Sequence, residues 1–492
     1  MVKHILFFCV FVWVSTFAFG KESKLYGPDG KLCVIVSDEG GMPSYSVLYE
    51  GVTFLQKSPL GIETNLGDFT QQMALTNVGQ LSSVNEEYQL LTIKNSNPQY
   101  QANVQTYTFS KEGKKIYDIV FQVSNHDIAF KYRIYPQGNT LCCIVKKEAT
   151  GFVLPKGSTT FLCPQAAPMG GFARTSPSYE TSYTVDDVMG KNGWGNGYTF
   201  PCLFKNEDKG WVLISETGVS SAYCGSRLLG KENGLYTIGF PQEGEYNGNG
   251  TVSPWRTVTV GRTLAPIVET TVMFDVVKPL YEASQEFQYG CGTWSWIIGG
   301  DNSMNYDEQK RYIDFSADMG YSSVLVDALW DSWVGRDKIA ELADYAASKG
   351  VALYLWYNSN GYWNDAPQSP RGIMNNTIMR RKEMKWMQSI GIRGIKVDFI
   401  GSDKQVTMQL YEDILADAND YGLMVIFHGC TLPRGWERMY PNFVACEAVL
   451  ASENLHFSQG SCDAESFNAC LHPFIRNTVG SMDFGGSALN KY

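Results

Sequence analysis

A change of rhythm near Tyr289 constrains this 492-residue chain more than any other feature. Downstream of it, apolar strand-like segments stand at Gly292–Ile297, Ser323–Asp327, Val351–Tyr357, Gly394–Phe399, Leu423–His428 and Phe443–Glu447. Helix patterns separate them at Asp307–Met319, Asp337–Lys349, Met374–Ile390 and Lys404–Tyr421. Short apolar strands repeatedly joined by helices predict a parallel sheet buried on both faces. Six or seven such units favour a (β/α) barrel over an open doubly wound sheet, and no Gly-rich dinucleotide loop follows the first strand. A seventh strand-like piece lies near Ser481–Phe484, just before Tyr492. One β/α unit of an eight-stranded barrel is therefore expected to be missing, and the chain reads as a fragment or as completed by residues outside it.

Upstream, from Leu32 to about Val277, apolar and polar residues alternate in short runs rich in Val, Ile, Tyr and Thr. Turn signals recur at Pro28–Gly30, Gly40–Gly41 and Asn247–Gly250. Many short strands with frequent turns predict a large β-sandwich. The expected organisation is a leader over 1–20, a sandwich over 21–280 and a barrel over 281–492.

The leader reading rests on Lys3, the apolar run Ile5–Phe19, and the small residues Ala18 and Gly20 before Lys21. The run is too short to span a bilayer comfortably, and no later stretch approaches the required length. Cys9 lies inside the run and Lys21 follows the cleavage point, so no cysteine is placed for lipid attachment. A periplasmic or secreted protein is expected, without membrane insertion.

The formal net charge of −10 argues against a nucleic-acid partner, which calls for a basic surface. An aromatic content of 13% suits sugar stacking, although large cores use aromatics too. Eleven of the twelve cysteines would survive cleavage, without CxxC spacing. Cys142 and Cys143 adjoin on an apolar stretch, so most are expected to be buried thiols. Cys462 with Cys470 is the pairing to test.

Catalytic groups of such barrels gather at the C-terminal ends of the strands. Those ends present Asp327, Trp330 and Asp331; Trp356, Asn358 and Asn360; Lys396 and Asp398; His428; and Glu447 followed by Glu453. Glycoside cleavage needs two carboxyl groups, one ionised and one protonated, across the scissile bond. Lys396 and Asp398 are two apart on one strand and share a face, so the ammonium favours an ionised, nucleophilic aspartate. A structural ion pair is the plainer reading of the same spacing. Glu447 and Glu453 near Asp398 would repel unless a proton or a hard cation such as calcium intervenes. A solvated acidic rim is the alternative.

The segments Gly292–Trp296, Val324–Asp331, Leu355–Gly361, Gly394–Phe399, Phe427–Gly429 and Tyr440–Asn442, with Glu447 and Glu453, together resemble glycoside hydrolase family 97. Gly27–Lys31, Tyr45–Tyr49 and Ser58–Gly61 fit its N-terminal sandwich. The resemblance implies an N-terminal β-super-sandwich, a catalytic (β/α)8 barrel and a small C-terminal β-domain, with exo-action on α-linked oligosaccharides and calcium at the active site. It implies Glu453 as general acid, and Glu180, Glu447 and Glu453 as calcium ligands. Lys396, Asp327, Trp330, Trp356, Asn358 and His428 are expected to contact substrate. Trp294, Trp296 and Trp363 could also form subsite walls. Retaining members place an aspartate where Asp398 stands, and His428-Gly429 stands where inverting members would carry a base glutamate. The expectation is a calcium-dependent retaining α-galactosidase. An inverting α-glucosidase, a β-L-arabinopyranosidase and a non-catalytic glycan-binding relative are the alternatives.

Overall fold

A computed structural model describes residues 20–139, 143–165, 179–186, 197–230, 232–241, 252–361 and 364–485. The leader up to residue 19, Cys142, Trp363 and the Asn247–Gly250 turn lie outside the described residues. The chain is a large antiparallel β-sandwich followed by a parallel α/β region.

Alternation builds the sandwich. The long strand Gln99–Lys111 pairs antiparallel with Lys114–Val123, which pairs in turn with Asp127–Ile134. Trp255–Gly261 then joins Asp127–Ile134 to Gly210–Thr217. Inward residues meet in an aromatic core where Phe121 stacks on Phe130 at 4.9 Å and Tyr45 closes on both. Such offset ring contacts add to the area they bury.

Two short helices, Ala265–Glu269 and Val272–Asp275, end the sandwich. Six parallel strands follow in sequential order: Gly292–Trp294, Ser323–Val326, Ala352–Asn358, Gly394–Asp398, Met424–Phe427 and Phe443–Cys446. Sequential order is that of a barrel wall; a doubly wound sheet reverses direction at a switch point. Met482 makes one parallel bridge to Cys446, which is all the expected seventh strand amounts to among the described residues.

The four helices read from periodicity are present as Tyr306–Met319, Arg336–Ser348, Thr377–Ser389 and Gln405–Asp420. Asn305 and Asn376 cap two of them by accepting from the backbone N–H of Glu308 and Met379. A fifth helix, Gln459–Leu471, lacked a strong apolar stripe and escaped the sequence reading. It corrects the Cys462–Cys470 pairing: both sulfurs are free thiols, and eight residues along one helix separate their Cα atoms by about 12 Å, too far for a disulfide.

The first strand is shorter than expected. It stops at Trp294, and Trp296–Gly299 turns into a helix that tips Trp296 over the strand ends. At that same end of the barrel, Leu329, Phe399, Ser402 and Ala448 hold positive φ, strained conformations of the sort that gather at functional sites.

Candidate active site

The strand ends and one sandwich segment enclose a pocket of about 410 Å³. Its wall includes Glu180, Trp294, Trp296, Asp327, Trp356, Lys396, Asp398, Glu447 and Glu453, all named from sequence. Asp301, Gln368, Phe399 and Phe457 also line it and were missed.

Asp398 ends the fourth strand. Neighbouring strands pair Trp356 with Lys396 and Asn358 with Asp398, so the Trp356 indole reaches across and donates to Asp398 Oδ2 at 3.0 Å. Lys396 Nζ stands 3.5 Å from the same oxygen and 3.3 Å from Asp327 Oδ2, and the Phe399 N–H donates to Oδ1 at 2.7 Å. The ammonium also sits 3.9 Å from the Trp294 ring centroid. Burial works against the charge on Lys396, but Asp327, Asp398 and Glu453 outweigh it and raise the pKa, so the group stays cationic. Burial raises Asp327 above the ordinary carboxylate range although Lys396 pulls the other way. Asp398 is thus oriented by three donors while its side chain remains 14% exposed toward the pocket.

Opposite stands an acidic group. Glu447 directly follows the sixth strand, Glu453 lies on the 3-10 turn Ser452–His456, and Glu180 enters from the sandwich with Asn454 donating to its Oε2 at 3.4 Å. Ligand atoms of His428, Glu447 and Glu453 lie within 4.8 Å of one another. Burial, then Glu453 and Asp398, push Glu180 up to about 8; burial, then Glu453 and Glu180, push Glu447 well above its ordinary value. Gly429 N–H donates to Glu447 Oε2 at 3.0 Å, while buried Oε1 has no donor among the described residues. Six carboxyl groups line the pocket against the single ammonium of Lys396. That excess and the orphaned oxygen fit a hard cation with oxygen ligands.

His428 lies behind this cluster, 1% exposed and edge-on to Trp294. Its Nε2 is 2.8 Å from Asp483 Oδ2 and its Nδ1 3.4 Å from Glu447 Oε2. Burial and Lys396 lower its pKa, but Asp483 and Glu453 more than offset them and leave it raised. It buttresses acidic groups and does not line the pocket. Asp483 was not singled out from sequence; it comes from the short bridge segment after Ser481.

His428 is thus one expected substrate contact that needs correction, and two more do. Trp330 is fully buried, stacks on Trp386 at 5.9 Å and donates its indole N–H to the Trp356 carbonyl at 2.9 Å. It is core behind the strands, because the turn after Leu329 carries it outward into a helix. Asn358 is also fully buried: its amide donates to the Ala366 and Gln368 carbonyls at 3.1 and 3.0 Å. Its role is to hold the loop that brings Gln368 to the pocket. Gln368 and Trp294 line the pocket, but Gln368 Oε1 and Trp294 Nε1 are themselves buried and, like Glu447 Oε1, have no partner among the described residues.

A parallel-strand region with paired carboxyl groups at its C-terminal mouth, in a pocket lined by indoles, defines a glycoside hydrolase. Residues 25–279 match the description Glycosyl-hydrolase 97 N-terminal and residues 286–449 match Glycoside hydrolase 97. The chain belongs to glycoside hydrolase family 97.

Its relatives differ in the sugar they are named for. A structure described as a beta-arabinopyranosidase is 54% identical, with a TM-score of 0.92 over 96% of this chain and 77% of the other. A probable retaining alpha-galactosidase of Streptomyces bingchenggensis is 27% identical over 97% of this chain and 71% of its own length. The retaining alpha-galactosidase of Bacteroides thetaiotaomicron is 25% identical over 98% and 75%.

Proposed function

We propose that this glycoside hydrolase is a retaining exo-glycosidase of terminal β-L-arabinopyranosides. The observation that carries the choice of sugar is the 54% identity and 0.92 TM-score to the arabinopyranosidase structure, against 27% and 25% to the galactosidases. β-L-arabinopyranose matches α-D-galactopyranose except for the missing C5 hydroxymethyl group, so one set of ring-hydroxyl contacts serves both. Hydrolysis of α-galactosides, the reading from sequence, is the second activity, supported by the two galactosidase relatives. Comparison of kcat/KM on p-nitrophenyl β-L-arabinopyranoside and α-D-galactopyranoside tests the order. Faster turnover of the galactoside would reverse it.

Retention is supported by the surroundings of Asp398. In the first step an Asp398 carboxylate oxygen bonds to the anomeric carbon while the glycosidic C–O bond breaks, and the departing oxygen takes the proton of Glu453. In the second, Glu453, now ionised, removes a proton from water. The hydroxide oxygen displaces Asp398, restoring the original configuration and both side chains. The indole of Trp356 and the ammonium of Lys396 hold the nucleophile against rotation before attack. Proton NMR is expected to show the first-formed sugar with the anomeric configuration of the substrate; the opposite anomer would mean inversion. Asp398→Ala is expected to lose on the order of 10⁴-fold in kcat, with azide restoring part of it.

Glu180, Glu447 and Glu453 are the residues that would hold calcium, joining sandwich to barrel. Bound there, the ion would neutralise buried carboxylates and bind sugar hydroxyls. The apolar leader suggests export, and we assign the protein to the periplasm or the exterior. Proteolysis of intact cells carrying the full chain, before and after outer-membrane permeabilisation, tests that placement.

A further inference from the structure

Glu180 reaches the pocket from the sandwich, whereas Asp398 and Glu453 belong to the barrel region. Its position therefore depends on how the two are fastened beside it, and that fastening lies one residue away. The buried Tyr179 hydroxyl stands 2.9 and 3.1 Å from the two carboxylate oxygens of Asp403, on the loop that follows Asp398. Arg434, from the loop after the fifth strand, donates to the Tyr179 oxygen at 3.2 Å and to Asp403 Oδ1 at 3.1 Å. Its Nε donates to Glu216 of the sandwich at 2.6 Å. Glu216 also meets Arg256, which forks onto Glu148 at 2.9 and 2.6 Å.

Every ion in this network is buried: Arg256, Glu148, Glu216 and Arg434 have no side-chain exposure, and Asp403 has 2%. Three carboxylates face two guanidiniums, so hydroxyl donors must meet the surplus negative charge. Tyr179 and Thr431 supply them to Asp403. Close approach is built into the backbone as well: a Cβ at Gly225 would lie 2.6 Å from Arg434 Nη2 and 3.1 Å from Asp403 Cβ. Burying such a network is a poor way to gain stability, because desolvation offsets much of the attraction, and well-fitted apolar side chains do as well or better. What it does supply is geometry: each planar fork accepts only one arrangement of its partners.

We propose that Tyr179, held by Asp403 and Arg434, is a positioning residue that sets where the Glu180 carboxylate stands relative to Asp398 and Glu453. The inference rests on Glu180 being a cation ligand. Tyr179→Phe in the full chain removes only the hydroxyl, and terbium luminescence reports cation binding without turnover. Terbium affinity is expected to fall about tenfold or more, as when groups that orient metal ligands are removed. kcat on an aryl glycoside falls with it, and adding Tyr179→Phe to Glu180→Gln causes little further loss. Asp403→Asn, which keeps an acceptor for the hydroxyl, carries the same expectation in weaker form should Tyr179→Phe not fold. A lower urea midpoint with unchanged terbium affinity would mean a merely structural contact and overturns the inference. Unchanged terbium binding in Glu180→Gln would remove the ligand reading and the inference together, which keeps the two failures distinct.

Discussion

Asp398 is as good a nucleophile as its neighbours make it. Its Oδ2 receives an indole N–H from a strand two residues out of its own pairing, a contact that spacing on one strand cannot reveal. Hydrogen bonds to charged groups contribute roughly 1.5–3 kcal/mol, so Trp356→Phe is expected to lower kcat/KM on an aryl glycoside about 10- to 100-fold. An unchanged value would make the indole a passive wall. Gln368 carries a second expectation at this scale. Its side chain lines the pocket and its buried carbonyl oxygen has no partner among the described residues; a sugar hydroxyl that reached it would supply one, and Gln368→Ala is then expected to raise KM several-fold, about the loss of one neutral hydrogen bond. Lys396 and Asp398 were legible as a pair because the strand period of two puts them on one face. Trp330 and Trp356 looked alike from sequence; one joins the core and the other the pocket because the backbone turns at Leu329.

At the scale of elements, strand existence was readable and strand ends were not. Ile297 was placed on the first strand, yet the chain turns helical at Trp296, where the ring stacks on Trp294 at 5.5 Å and meets Phe457 at 6.2 Å. The helix Gln459–Leu471 went unread because its apolar residues do not fall on one stripe. Its two cysteines are exposed and unpaired. Alkylation of the native, unreduced protein is therefore expected to label both Cys462 and Cys470, and a tryptic fragment refusing label until reduction would contradict the helix.

At the scale of the whole molecule, the junction of sandwich and barrel region carries its own titration. Asp275 is buried where the sandwich ends, accepting from the hydroxyls of Tyr88 at 2.7 Å and Thr271 at 2.9 Å, with Asp127 and Arg438 also facing it. Burial raises it from 3.8 to about 7, against the pull of the two hydroxyls. The folded protein therefore keeps a proton that the unfolded chain has released. The stability this provides is complete below 3.8 and is lost as pH rises through about 7. Between pH 6 and 8 the free energy of unfolding should fall by about 1.4 kcal/mol more in the wild type than in Asp275→Asn, read from urea midpoints. Equal slopes would remove Asp275 as the source. Arg438, whose guanidinium lies 3.7 Å from the Tyr88 ring centroid, ties the same junction to the barrel side.

Periodicity and spacing are local properties, and they determined what is local here: a sandwich half, a βα half, and a strand carrying Lys396 and Asp398 on one face. The ordered motifs across both halves placed the chain in its family. Tertiary structure decided what depends on distance through space. It brought Glu180 from the sandwich to within electrostatic reach of Asp398 and Glu453, and it put Asp483 on His428 across 55 residues of chain. It also sent Trp330 and Asn358 into the core. Nothing in a run of residues encodes which loops converge, because convergence is set by how two separately patterned halves bury their faces against each other.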